Sequence, residues 1–216
     1  MRQLVNVPGV DIYYARIANS PTISTDSLRA MQPIIRKTAE LILPGDRLDV
    51  LAYACTSASI VLGTAAVAEN LNAAKPEAKT TNPAFAAFNA FRSLGARRIA
   101  VLTPYAKEVN ELVHKALMDA GFVVPVFGSF NEPHDPTVAS IDSHSLQMAI
   151  AEITKKHSVD AVFISCTSVR IASDVVAIEA EFGIPVTSSN HALAWHCLRL
   201  AGIDDKLPAL GRLFSL

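Results

Sequence analysis

Asp49-Val50-Leu51-Ala52-Tyr53-Ala54-Cys55-Thr56-Ser57 and Asp160-Ala161-Val162-Phe163-Ile164-Ser165-Cys166-Thr167-Ser168 read alike in register: an acidic residue, an apolar run, then Cys-Thr-Ser. A short apolar run of this kind predicts a buried strand, and the polar turn followed by helical periodicity predicts a strand-to-helix transition. The recurrence predicts duplication, and so two related halves. Each half offers one cysteine from the carboxyl edge of a parallel sheet, where ligands of open α/β sheets bind.

Outward from these two stretches, β-branched runs alternate with segments of helical period, the pattern of an α/β fold. Strands are predicted at 10–14, 49–54, 98–102, 123–127, 160–165 and 184–187, and helices at 25–43, 57–70, 83–94, 108–120, 143–156, 169–182 and 190–201. Gly95 and Gly121 stand where helices stop, and Pro83 where a first turn tolerates proline. The expected organisation is two pseudo-symmetric parallel-sheet halves with the active site in the cleft between them. The first half takes 1–78 plus 187–216, and the second takes 79–186.

With 216 residues, half of them apolar, the chain can bury a substantial core. Its 19 basic and 20 acidic residues nearly cancel, and no Lys/Arg run is interleaved with aromatics, which argues against nucleic acid and for a small-molecule partner. The apolar runs are shorter than the roughly 20 residues a membrane span needs. Nothing around Met1 to Pro8 reads as a secretory signal, so the expected location is cytoplasmic. Three cysteines in such a chain do not suggest a disulfide framework.

A cysteine between a strand end and a helix start meets unpaired backbone N–H groups and the positive end of the helix dipole, so its thiol pKa is expected to fall. The adjoining Thr and Ser add hydroxyl donors, and the same amides can hold a substrate carboxylate. Two such turns facing each other suit a carbon acid: one sulfur takes a proton or adds to a double bond, while the other donates a proton from the opposite face. That chemistry requires no metal and no organic cofactor. Cys197, inside an apolar helical stretch without a second copy, reads as core packing.

At these residues the chain resembles the Asp/Glu racemase superfamily, and within it the branch of maleate isomerases and arylmalonate decarboxylases. The likeness also runs through Thr81-Asn82-Pro83, Leu102-Thr103-Pro104-Tyr105, Val109-Asn110 and Pro185-Val186-Thr187-Ser188-Ser189-Asn190 ahead of Ala194-Trp195. Gly128-Ser129-Phe130-Asn131, the Phe163 to Ser168 stretch and the Ser189 to His196 stretch resemble the ectoine-utilization EutA subgroup in particular. The resemblance implies an isomerase or racemase acting on a small dicarboxylate or amino dicarboxylate by two-cysteine chemistry, and a homo-oligomer. Cys55 matches the cysteine that adds to the alkene in maleate isomerases, and Cys166 the one that exchanges a proton. Arylmalonate decarboxylases carry glycine at the first of these positions, so Cys55 argues against decarboxylation. Tyr105 and Asn131 match substrate-contacting residues, and Thr56, Ser57 and Thr167 fall on the donors of the carboxylate pocket.

Members of the branch open with a further strand and a Pro-Ser-Asn-like turn upstream of the segment matching 10–17. A chain starting at Met1 then implies either a start codon assigned too late or a first half without a central strand. The cost of exposing ladder groups and core favours the former.

Without the resemblance, several of these residues have plainer explanations. Asn131 sits in ordinary turn chemistry, and Thr80, Thr81, Asn82, Ser189 and Asn190 are all suited to capping helices. His191 and His196 lie five apart, off the spacing of a helical metal pair. Asp49 and Asp160 open their strands and are expected to cap them. Arg170 is expected to be solvated.

Overall fold

In the computed structural model, which describes residues 4–216, Arg98–Thr103 forms the strand on which the larger sheet is built. Ile99, Ala100 and Val101 are wholly buried, as the unbroken apolar run requires of a strand covered on both faces. Met1, Arg2 and Gln3, part of the N-terminal stretch read above, lie outside the described residues.

In chain order the helices α1 (Thr25–Arg29) and α2 (Gln32–Glu40) precede strand β1 (Val50–Ala52), which is followed by α3 (Thr56–Leu62), α4 (Thr64–Ala74) and β2 (Lys79–Thr81). Next come α5 (Pro83–Ser93), β3 (Arg98–Thr103), α6 (Lys107–Asp119), β4 (Val123–Ser129), α7 (Asp135–Val138) and α8 (Ser143–Thr154). The chain closes with β5 (Ala161–Ile164), α9 (Val175–Phe182), β6 (Val186–Ser188) and α10 (Ser189–Leu200). The strands named above pair in parallel: β1 with β2, and β4-β3-β5-β6 in the larger sheet. Parallel neighbours require crossovers, and helices supply each one. The α/β expectation holds, with two parallel sheets.

The differences from the sequence expectation have local causes. The stretch 10–14 runs as irregular chain, with Val10 and Ile12 packed on the core and Tyr13 and Tyr14 exposed. β2 was not foreseen, because Lys79-Thr80-Thr81 lacks an apolar run; it pairs in parallel with β1. The helix expected over 25–43 divides at Ala30 and Met31, since Pro33 lacks the N–H that would bond the Arg29 carbonyl. The helix expected over 57–70 divides at Gly63, whose φ of +85° few other residues adopt. The helix expected over 169–182 starts only at Val175: Val169 and Ile171 are buried on either side of exposed Arg170, a period of two that belongs to extended chain.

Polar side chains, exposed at Asp160 and buried at Glu179, His191 and His196, tie the elements together. Asp160 accepts from the N–H groups of Arg97 and Arg98, both at 2.8 Å, bracketing the starts of β3 and β5 in the expected capping role. These bonds hold its carboxyl below the usual range. His196 on α10 reaches Thr81 Oγ1 of β2 at 2.7 Å through Nδ1. Buried Glu179 accepts from Val186 N–H and Arg212 N–H at 2.9 and 2.8 Å, tying the C-terminal segment to β6. His191 completes this tie through Nε2 to the Leu210 carbonyl at 2.7 Å, which makes Nε2 the protonated nitrogen and leaves Nδ1 to accept from Thr187 Oγ1.

Candidate active site

Cys55 is the N-cap residue of α3, at the carboxyl end of β1, and Cys166 follows β5 at the corresponding end of its own sheet. Both line one cavity of about 710 Å³, together with Thr56, Ser57, Tyr105 and Thr167. The duplicated turns therefore converge. Their sulfurs lie close enough for a charge on Cys55 to raise the pKa of Cys166. The same cavity is also lined by residues 10–17 and by Met31, Ile35, Cys197 and Leu198.

A relay of hydroxyls fixes the spacing of the turns. Thr56 Oγ1 donates to Ser189 Oγ at 2.7 Å, and Ser189 Oγ in turn accepts the backbone N–H of Cys166 at 3.0 Å. Thr167 Oγ1 donates to the Ala54 carbonyl at 3.1 Å, and Asn190 Nδ2 donates to the Thr167 carbonyl at 2.8 Å. The cap of α10 is Ser188, whose Oγ accepts from His191 N–H. Ser189 and Asn190 are thus freed for this cross-link, which helix-capping logic did not foresee. Thr56 and Thr167 spend their hydroxyls on these cross-links and line the cavity wall.

Ser57 Oγ lies 3.7 Å from Cys55 Sγ, and the Ser168 N–H points at Cys166 Sγ at 3.4 Å. Ala58 N–H, Ser57 and Tyr53 favour the Cys55 thiolate; Ser168 N–H and Tyr105 favour that of Cys166. Burial nevertheless prevails at both: Cys55 is raised, and Cys166 is pushed up to about 11. The fall expected from the turn position is corrected accordingly. A few N–H groups and a dipole end do not replace the water lost by a buried anion, so both thiols are protonated in the free protein at neutral pH. Cys197 is likewise raised to about 12 by burial, as an apolar packing thiol would be.

Tyr105 is fully buried on the cavity wall, with its hydroxyl beside Cys166 and Ser165 but without a well-formed hydrogen bond to either, so it retains donor capacity. Asn131 is not brought to the site: it is exposed at φ +54°, on a left-handed turn that asparagine tolerates, and does not line the cavity. Its backbone N–H donates to Ser129 Oγ. Arg170 donates from Nε and Nη2 to the Ala139 carbonyl at 3.1 and 2.8 Å, a tie to the loop after α7.

Two residues were missed from sequence. Tyr53 flanks Cys55, two positions before it and just beyond β1, where strand periodicity carried on from β1 could have placed it on the same face. Asp135 lines the cavity and accepts from Ser168 Oγ at 2.7 Å. Nothing in its surroundings along the chain announces it.

Two parallel sheets presenting paired cysteines to one cavity mark an α/β protein equipped for cysteine-mediated chemistry. The sequence signature of the family described as Arylmalonate decarboxylase matches residues 23–214. A maleate isomerase of Nocardia farcinica is 30% identical over 215 residues, covering 95% of this chain and 85% of the relative. An arylmalonate decarboxylase of Bordetella bronchiseptica is 31% identical over 137 residues, covering 62% of this chain and 57% of the relative. Among solved structures, the Nocardia farcinica maleate cis-trans isomerase bound to TRIS superposes with a TM-score of 0.89 at 28% identity, covering 100% of this chain and 91% of that one. A cysteine-to-serine mutant of the same isomerase, with a covalently bound succinylcysteine intermediate, gives the same score and coverage. The chain belongs to the arylmalonate decarboxylase family, whose members here include maleate isomerases.

Proposed function

We propose that this chain is a cofactor-independent isomerase or racemase of a small dicarboxylate or amino dicarboxylate. The observation that carries the reading is the convergence of Cys55 and Cys166 on one cavity from the ends of two sheets. The succinylcysteine held by the Nocardia farcinica mutant supports it, as an example of sulfur bonded to a four-carbon diacid in a relative. As an isomerase, Cys55 gives up its thiol proton to solvent in the cavity and adds as thiolate to one alkene carbon, and the π pair moves onto the neighbouring carbon. The resulting single bond rotates, and expulsion of sulfur restores the alkene. As a racemase, one sulfur removes the proton next to the carboxylate and the other returns one to the opposite face.

In either mode, negative charge spreads onto a substrate carboxylate. The Tyr105 hydroxyl, the turn amides and the Ser57 hydroxyl are the donors this charge can meet. Asn131 enters only through the resemblance, and would need its exposed turn to fold inward. The likeness to the EutA subgroup adds a place in ectoine breakdown to the proposal, and the family likeness adds a homo-oligomer.

Incubation in heavy water with maleate and with single enantiomers of aspartate-like acids, followed by NMR, tests the reading. Turnover or deuterium uptake that disappears in both Cys55→Ser and Cys166→Ser is the expected result; neither with any acid rejects it. Carbon dioxide release from a disubstituted malonate surviving Cys55→Ser would instead identify a decarboxylase, for which Cys166 alone suffices. A second reading, a carboxylate-binding protein without turnover, is favoured by the raised thiol pKa values. It requires ligand affinity to persist after Cys→Ala at either turn.

A further inference from the structure

Asp135 is out of place in a pocket for a plain dicarboxylate. Its backbone N–H is anchored on the Pro21 carbonyl at 2.8 Å, and its Oδ1 accepts from Ser168 Oγ, two residues beyond Cys166. The side chain lines the same cavity as both sulfurs and is near enough for its charge to act on each of them. It forms no ion pair with a Lys, Arg or His among the described residues, where the ion pairs are surface ones between helix neighbours. The cationic lining residues, Arg16 and Arg47, are exposed, and Arg47 leads into the start of β1 whereas Cys55 lies beyond its end. Among the described residues, a doubly negative ligand at the thiols would meet a third negative charge with only the exposed Arg16 and Arg47 as cationic lining. A ligand bearing an ammonium as well as carboxylates would pair the one and give the others to Tyr105 and the turn amides.

Resting on the isomerase or racemase reading, we propose that the substrate is an amino acid, with its protonated nitrogen held by the Asp135 carboxylate and its carboxylate held at the Tyr105 end. The same cation would favour thiolate at the sulfurs that burial now keeps protonated, so substrate binding itself would supply the charge the chemistry needs. An α-ammonium also makes proton exchange at the adjoining carbon, and not alkene rotation, the expected mode.

Aspartate and succinate share a carbon skeleton and differ by the amine, so calorimetric titration of both into the wild-type protein reads the site directly. Either enantiomer of aspartate should bind roughly tenfold or more tightly than succinate. Asp135→Asn should abolish the preference by weakening aspartate and strengthening succinate, Asp135→Glu should retain part of it, and Ser168→Ala should keep its sign because the carboxylate remains. Equal or tighter binding of succinate, failure of both acids to bind, or an Asp135→Asn effect equal on both would overturn the proposal. A preference for aspartate without deuterium exchange at its α-carbon, and without turnover of any acid, would retain the ammonium site and reject the enzyme reading. Turnover of maleate with no preference for the amine would do the reverse.

Discussion

Cys166 holds φ at +115°, a region that L-residues avoid, and keeps it because its N–H is bonded to Ser189 Oγ and its side chain is buried. Such a conformation costs about 1–3 kcal/mol, which glycine would not incur. Cys166→Gly is therefore expected to match or exceed the wild type in denaturant midpoint while losing turnover. Cys55, at φ −138°, has no such strain, and Cys55→Gly should lower stability by about 0.5–1 kcal/mol. Equilibrium urea unfolding of the two variants separates the cases; a Cys166→Gly variant less stable than Cys55→Gly would refute the strain. The raised thiols make a second prediction. Since only thiolate is alkylated, the iodoacetamide rate at Cys166 in the free protein should still be climbing with pH above 9, toward its value of about 11. Mass-spectrometric counting of modified Cys166 across pH checks this, and a plateau below pH 8 would contradict it.

At the scale of elements, the site depends on how two sheet ends are held in register. Ser189, at the start of α10, touches both cysteine turns at once, through Thr56 Oγ1 and the Cys166 N–H. Ser189→Ala leaves that buried N–H without its partner, at a cost of about 1–3 kcal/mol, and frees the two turns from each other. A fall in kcat larger than any change in KM, with the fold intact by circular dichroism, is the expected signature. Gly128 on β4 has a plainer packing role: a Cβ there would come within 2.9 Å of Ile153 Cγ2 on α8 and 3.2 Å of Leu102 Cδ1 on β3. Gly128→Ala should cost about 1–3 kcal/mol by overpacking, measurable as a lowered urea midpoint with unchanged slope. Helix limits were legible where a cap or stop was local, as at Asn82, whose Oδ1 accepts from Phe85 N–H at the start of α5. They were not legible at Gly63 or Pro33, where a continuing apolar stripe hides a break in the backbone.

Over the whole molecule, the C-terminal segment is fastened by two buried side chains, Glu179 and His191. Burial lowers His191 to about 4, so the unfolded chain takes up a proton there before the folded one does. Stability contributed at this site is unaffected above pH 6.5 and declines as pH falls from 6.5 toward 4, where the folded form also protonates. Protection factors at Leu213 and Phe214, with exchange rates corrected for their intrinsic pH dependence, should fall as pH drops over that window, and a variant His191→Gln should flatten the dependence. Among the described residues, no helix is long and apolar enough to cross a membrane. The amino-acid sequence by itself determined the α/β class, the strands of the larger sheet and the two cysteine turns, because apolar periodicity and a repeated motif are properties of neighbours along the chain. It also marked Tyr105, through a resemblance. Tertiary structure alone decided that Val10 to Tyr14 lies outside the sheet, that Asn131 does not line the cavity, that burial raises both thiols, and that Asp135 shares the cavity with them. Ladder partners, burial and electrostatic neighbours are set by segments far apart in sequence: Asp135 meets Ser168 across 33 residues, and Thr56 meets Ser189 across 133. Local pattern carries no record of such meetings.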